Sequence, residues 1–181
     1  FYSDHLNYYK DDPAQYLLDK ANIFLYQDPD DTLIIGSQCA PTLIEAFGEH
    51  ILSKTIIAGA EKFPSEWKLQ ILGVHNRYNA ALALAVARAL EIPDEVSRKA
   101  LAAFKGVPGR LERILEVNGV QVYNDTTSTT PEATLAALAA LSNDGFTKSI
   151  ILIMGGTDKG LDMNALLLKL GEVKRVILLA G

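Results

Sequence analysis

Residues 120–134 carry the densest potential for chemistry in this chain. Apolar Val120 and Val122 alternate with Gln121 and Tyr123, the period-two pattern of a strand. Asn124-Asp125 and the hydroxyl run Thr126-Thr127-Ser128-Thr129-Thr130 follow, and then Pro131-Glu132 opens an alanine-rich segment. Thr130 is placed to cap a helix whose first residue is Pro131. An acid, several hydroxyls and a helix N-terminus therefore converge at the end of a strand. Open α/β sheets bind ligands at such ends, and a helix N-terminus favours anions. The pattern fits a phosphate or carboxylate ligand; a well-capped strand–helix loop with no ligand fits it equally.

One unit further on, residues 150–154 (Ile-Ile-Leu-Ile-Met) read as a fully buried strand. It runs into Gly155-Gly156-Thr157-Asp158-Lys159-Gly160. Glycines let a backbone turn its N–H groups toward an anion, and Lys159 adds positive charge. Glycine loops after strands are common, so this loop gains weight only beside the preceding polar strand end. Smaller groups stand elsewhere. Asn76 and Asn79 are three apart, so they share a helix face and offer amide donors and acceptors to an adenine edge or a phosphate. A capping Asn with a second solvated Asn is the plainer account. Arg110 follows a glycine in Pro108-Gly109-Arg110-Leu111-Glu112, where its planar fork could clamp a phosphate or simply pair with Glu112 at the surface. Asp4-His5 offers an imidazole without partner spacing, and Lys20 lies in an amphipathic segment, where a lysine is most often a solvated charge.

The elements that must position these groups alternate between helix and strand. Residues 14–26 predict a helix with Tyr16, Leu17, Ile23 and Phe24 near one face, broken by Asp28-Pro29-Asp30-Asp31. Residues 32–36 and 55–59 predict short buried strands around a helix near 43–47. Residues 67–73 predict an extended stretch. Residues 79–90 and 94–104 predict helices, the first stopped at Ile92-Pro93 and the second capped by Asp94. Asn118-Gly119 between alternating residues predicts a hairpin. Two β-α units follow, the last strand lying near 176–181. A domain boundary is expected near residues 72–75, giving domains 1–73 and 74–181.

Composition narrows the class. The chain of 181 residues is 49% hydrophobic and 22% charged, the balance of an ordinary globular protein. A net charge of −5 and no basic cluster with aromatics argue against nucleic acid as a partner. Cys39 is the only cysteine, which excludes an intrachain disulfide and a multi-cysteine metal site and fits a reducing compartment. No apolar run reaches the length of a membrane span. The start at Phe1 and the strand-like end at Gly181 are read as those of an interior piece of a longer protein.

These signals occur in one order over nearly the whole chain, and that order resembles the Mur ligases of peptidoglycan synthesis. Asp4-His5-Leu6 with Lys20 is similar to that family's central-domain segment. Gly73-Val-His-Asn-Arg-Tyr-Asn79 resembles its link into the last domain, and Gly106-Val-Pro-Gly-Arg-Leu-Glu112 a loop that usually carries a His-Arg pair. Asn124–Thr134 and Gly155–Asp162 resemble the members that add D-glutamate most closely. The resemblance implies part of a central ATPase-type α/β domain followed by a Rossmann-like α/β domain with a mostly parallel sheet. It implies a cytoplasmic bacterial enzyme with a monomeric parent chain. The reaction would be ATP-dependent amide formation, with D-glutamate joining UDP-N-acetylmuramoyl-L-alanine through an acyl phosphate. Mg²⁺ would accompany ATP, with His5 as a ligand and Lys20 carbamylated near the metal. Asn76 and Asn79 would face the adenine, Arg110 the phosphates and Asp125 the ribose. Thr127, Thr129 and Lys159 would receive D-glutamate.

Two positions depart from that pattern: Gly109 stands where the family usually has His, and Thr127 where Lys is common. No Gly-x-x-x-x-Gly-Lys-[Ser/Thr] loop occurs in the chain. The resemblance would place that loop before Phe1, so ligation by these residues alone is not expected. Another Mur ligase, a folylpolyglutamate synthase-like enzyme, and a non-catalytic nucleotide-binding module of the same fold are the competing readings.

Overall fold

Helix α1 (Pro13–Ala21) starts where Asp12 takes an extended conformation and its carboxylate accepts from the amides of Ala14 and Gln15, with Pro13 in the first turn. The computed structural model describes residues 6–142 and 149–180. α1 ends at Ala21, five residues short of the expected stop, with Asn22 as its C-cap. The chain then turns, so Phe24 enters the core while Ile23 is left 80% exposed. Strands β1 (Thr32–Gly36) and β2 (Lys54–Ala58) pair in parallel, with Thr32 opposite Lys54 and Gly36 opposite Ala58. Helix α2 (Ala40–Phe47) connects them. Their core is Ala21, Phe24, Leu33, Ile35 and Ala40, closed by an edge-on contact of Phe24 and Phe47 at 5.8 Å.

Helix α3 (Val74–Ala89) begins five residues earlier than the alanine pattern predicts, immediately after Gly73 at φ 96°. Helix α4 (Asp94–Ala103) follows. Asp94 does not cap it. Its carboxylate instead takes both arms of the Arg88 guanidinium, at 2.9 and 2.6 Å. A second core of Phe63, Ala80, Ala81 and Leu84 packs beneath Trp67, Leu69 and Leu101. Residues 67–73 form no strand; they run as irregular loop.

Two compact units result. One comprises residues up to Leu69 together with Val74–Phe104, the other Gln70–Gly73 together with residues from Lys105 onward. Packing thus draws its line differently from a cut at 73/74, because α3 places Ala80, Ala81 and Leu84, and α4 places Leu101, in the core of the first unit.

In the second unit, β3 (Glu112–Val117) and β4 (Val120–Asn124) form the expected antiparallel hairpin. Asn118 and Gly119, at φ 50° and 78°, make its turn, as a primed turn demands. Helix α5 (Pro131–Ser142) leaves the β4 end. Strands β5 (Ile151–Met154) and β6 (Arg175–Leu178) are parallel, linked by helix α6 (Asn164–Leu170). Leu138 on α5 and Leu166 on α6 are fully buried.

Candidate functional site

The β4 end and the loop before β3 are tied together by polar groups. The Thr130 hydroxyl accepts from the Ala133 amide at 3.3 Å, which is the cap that the Thr-Pro pair predicts for α5. Asp125 uses both carboxylate oxygens. Oδ1 accepts from the Leu111 amide at 2.8 Å, and Oδ2 accepts from the Ser128 hydroxyl at 2.5 Å. Thr127 donates twice to the Gly109 carbonyl, from its amide at 3.0 Å and from its hydroxyl at 2.7 Å. Glu112 returns across the same turn: its Oε2 accepts from the Gly109 amide at 2.9 Å and from the Asn124 side chain at 3.5 Å.

Arg110 sits inside this frame, with Gly109 at φ 77° on one side and Leu111 at φ 46° on the other. A positive φ at Leu111 is uncommon for a non-glycine residue and is held by its bond to Asp125. Gly109 is buried and Arg110 is exposed. A Cβ at position 109 would lie 3.1 Å from the Thr127 methyl and 3.4 Å from the Thr126 hydroxyl. The conformation therefore favours glycine there, and the space beside it is tight. A His at position 109 would have to hold a left-handed backbone and push the Thr127 methyl back by a few tenths of an ångström.

At the end of β5, Gly155 brings the two strand ends together. Its added Cβ would meet the Leu179 carbonyl oxygen at 2.8 Å, and the Leu179 amide donates to Met154 at 2.9 Å. Beyond it, Asp158 accepts from the Gly160 amide at 2.8 Å, and Gly160 takes φ 67°. Lys159, inside that turn, is exposed, as is Thr129.

In the first unit, α3 places Asn76 in its first turn and Asn79 in its second, with Asn79 exposed and Asn76 half-buried. The residues between them are structural. Arg77 donates to the Phe63 and Pro64 carbonyls at 3.4 and 3.0 Å and lies 5.0 Å from the Phe63 ring centre. The Tyr78 hydroxyl accepts from the Gln38 amide at 3.3 Å and occupies the space that a Cβ on Gly36 would need. Lys20 lies in the last turn of α1, exposed, with its ammonium 5.5 Å from the centre of the Tyr16 ring. Tyr16 stacks in turn on Tyr9 at 5.0 Å. Partial burial, and then the Asp19 carboxylate beside it, push the Tyr9 phenol above its ordinary value. Asp4 and His5 lie outside the described residues. Among the described residues, no group of three or more His, Cys, Asp or Glu side chains could hold a metal ion.

Residues 109–181 match the family model described as Mur ligase, glutamate ligase domain. Over 174 residues the chain is 36% identical to a protein of Aquifex aeolicus named UDP-N-acetylmuramoylalanine–D-glutamate ligase, covering 92% of this chain and 41% of that one. A protein of the same name from Nitratidesulfovibrio vulgaris is 33% identical over 179 residues, 99% of this chain and 39% of its own length. The chain belongs to the Mur ligase family.

The fold agrees with that assignment. A crystal structure of MurF from Acinetobacter baumannii superimposes with a TM-score of 0.64 at 18% identity, over 91% of this chain and 46% of that one. The α/β architecture with parallel strand pairs is that of Mur ligases. This Mur ligase chain spans between about a quarter and two-fifths of the length of its curated relatives (23% and 41% at the extremes). Its second unit brings Arg110, Asp125 and Thr127 into one frame. Glu112 and Ser128 complete that frame and were not anticipated as site residues. Their signals lie in the spacing: Glu112 stands three residues after a glycine at positive φ, and Ser128 three residues after Asp125.

Proposed function

We propose that this chain is part of an ATP-dependent ligase that joins D-glutamate to UDP-N-acetylmuramoyl-L-alanine. The observation that carries this reading is the identity of 33–36% over 92–99% of the chain to proteins named for that ligation. The site geometry supports it chemically. In the reaction a substrate carboxylate attacks the terminal phosphate of ATP and releases ADP. The amine of D-glutamate then attacks the acyl phosphate, and inorganic phosphate leaves. Catalysis of such steps rests on positioning and on neutralising phosphate charge.

The residues divide those tasks. Asn76 and Asn79 offer amides to the adenine from the first turns of α3. In the second unit, Arg110 pairs with phosphate oxygens through its guanidinium fork. Asp125 has lone pairs left on each oxygen to accept from a ribose hydroxyl. Thr129 and Lys159 receive D-glutamate, the lysine pairing with a carboxylate. His5 and a carbamylated Lys20 would serve Mg²⁺. When bound, the ion would neutralise phosphate charge; Lys20 itself is exposed beside the Tyr16 ring. A nucleotide-linked substrate and ATP place the enzyme in the bacterial cytoplasm. Among the described residues no helix is long and apolar enough to cross a membrane.

The deciding assay follows ATP-dependent phosphate release by the full-length protein. It uses UDP-N-acetylmuramoyl-L-alanine with D-glutamate, L-lysine, meso-diaminopimelate or D-alanyl-D-alanine. Release that requires D-glutamate is the expected result. Release with another amine keeps the ligase and discards the acceptor. No release from a folded protein that binds ATP overturns the reading in favour of a nucleotide-binding module.

A further inference from the structure

We propose that Thr127 is a positioning residue that holds the Arg110 turn, and that it makes no contact with the acceptor amino acid. The inference refines the reading of Arg110 as a phosphate ligand and rests on it.

The argument starts from the donors. A threonine hydroxyl has one hydrogen, and an ionised carboxylate can only accept. The Thr127 hydroxyl already donates to the Gly109 carbonyl at 2.7 Å, and the Thr127 amide donates to the same oxygen at 3.0 Å. Thr127 therefore has no hydrogen left to offer a D-glutamate carboxylate. Ser128 is committed likewise, its hydroxyl to Asp125 Oδ2 at 2.5 Å and its amide to the Asp125 carbonyl at 2.9 Å.

The second strand of argument is what those donors hold. The three residues Gly109-Arg110-Leu111 have every backbone amide engaged: Gly109 with Glu112 at 2.9 Å, Arg110 with Val107 at 3.1 Å and Leu111 with Asp125 at 2.8 Å. Gly109 and Leu111 both take positive φ, at 77° and 46°. Left-handed backbone at a leucine persists only where its surroundings over-determine it. The loop spends four side chains (Glu112, Asp125, Thr127 and, behind Asp125, Ser128) on three residues whose only exposed member is Arg110. The Thr127 methyl, 3.1 Å from where a Cβ on Gly109 would stand, also packs closely over that position. Gly109 and Thr127 thus form one interlocked pair, and its product is a fixed origin for the Arg110 side chain.

The test compares Thr127→Val, which keeps the shape and loses the hydroxyl hydrogen, with Thr127→Ser, which keeps it. Amide exchange in the complete chain should accelerate about fivefold at Leu111 and Thr127 in Thr127→Val, the equivalent of one lost neutral hydrogen bond. Thr127→Ser should stay within about twofold of the parent. ATP affinity of the full-length protein should fall by a similar factor in Thr127→Val, with the KM for D-glutamate unchanged. The same substitution should add no further loss once Arg110→Ala is present. Unchanged exchange overturns the proposal. So does a raised KM for D-glutamate at unaltered ATP affinity. If the parent protein binds no ATP, the nucleotide reading of Arg110 fails, and the exchange comparison still decides whether Thr127 holds the turn.

Discussion

Substituting Gly36 by alanine probes how the first unit positions the start of α3. Gly36 ends β1, and its φ lies outside the left-handed region, so the backbone itself tolerates alanine. In open space that change would stabilise by up to about 1 kcal/mol through the unfolded chain. Space is what forbids it. The new Cβ would fall 1.9 Å from the Tyr78 hydroxyl and 2.9 Å from its Cζ. Tyr78 must withdraw, losing its bond from the Gln38 amide, worth about 1 kcal/mol. Overpacking adds about 1–3 kcal/mol. The net destabilisation expected for Gly36→Ala is about 2 kcal/mol. Tyr78→Phe alone costs about 1 kcal/mol for the hydrogen bond. It removes the 1.9 Å overlap and leaves the 2.9 Å approach of Cζ, which needs a small shift of the ring. Gly36→Ala in the Tyr78→Phe background should therefore cost under about 1 kcal/mol, a coupling of roughly 1–2 kcal/mol. Urea unfolding followed by Trp67 fluorescence reads this directly, because the single tryptophan packs edge-on against Phe63 in the core beneath α3. A coupling below about 0.3 kcal/mol, the usual additivity error, refutes the claim that Tyr78 docks into the space Gly36 leaves.

Removal of the α5 cap by Thr130→Ala should cost about 1 kcal/mol, with Thr130→Ser recovering most of it, measured by urea unfolding with far-UV circular dichroism. Leu138→Ala empties a fully buried site on α5 and should cost about 2–5 kcal/mol by the same measurement. The bonds from Arg88 hold the Asp94 carboxyl below its usual range. A depressed folded pKa contributes stability above the unfolded value, about 4, and loses it as pH falls through the folded one. Arg88→Met should therefore lower the melting temperature slightly at pH 6 and flatten its fall below about pH 4. A melting curve with the parent's acid slope would show that the pair contributes nothing, a real prospect for an exposed ion pair.

Much of the fold was legible because strong local signals and tertiary packing agree. Residues 32–36 form the strand that their apolar run predicts, and Asn118-Gly119 forms the turn that both φ values require. Thr130-Pro131 opens α5 at the residue expected. The misread boundaries are those where packing overrides pattern. α3 starts at Val74 because Arg77 and Tyr78 are pinned to the Phe63–Pro64 loop and to the end of β1, contacts that no periodicity reveals. α1 stops at Ala21 although the apolar spacing continues, because the chain must turn to bury Phe24. Asp94 reads as a cap by type, yet Arg88 lies within reach and takes its carboxylate.

The site shows a different limit, which concerns donors rather than elements. Residue types locate the polar strand end, since only a loop with partners nearby can afford Asn, Asp and five hydroxyls between a strand and a helix. Types do not say which groups face a ligand and which face one another. Asp125, Thr127, Ser128 and Thr130 all commit hydrogen-bonding capacity to the loop itself, while Thr126, Thr127 and Thr129 are exposed. The frame that results carries left-handed backbone on both sides of one exposed arginine, a glycine before it and a strained leucine after it. Holding a leucine at positive φ costs folding energy, which the bonds around it offset, and it fixes the point from which the Arg110 side chain departs. The hydroxyl run is thus better understood as the scaffold of Arg110 than as a row of ligand contacts.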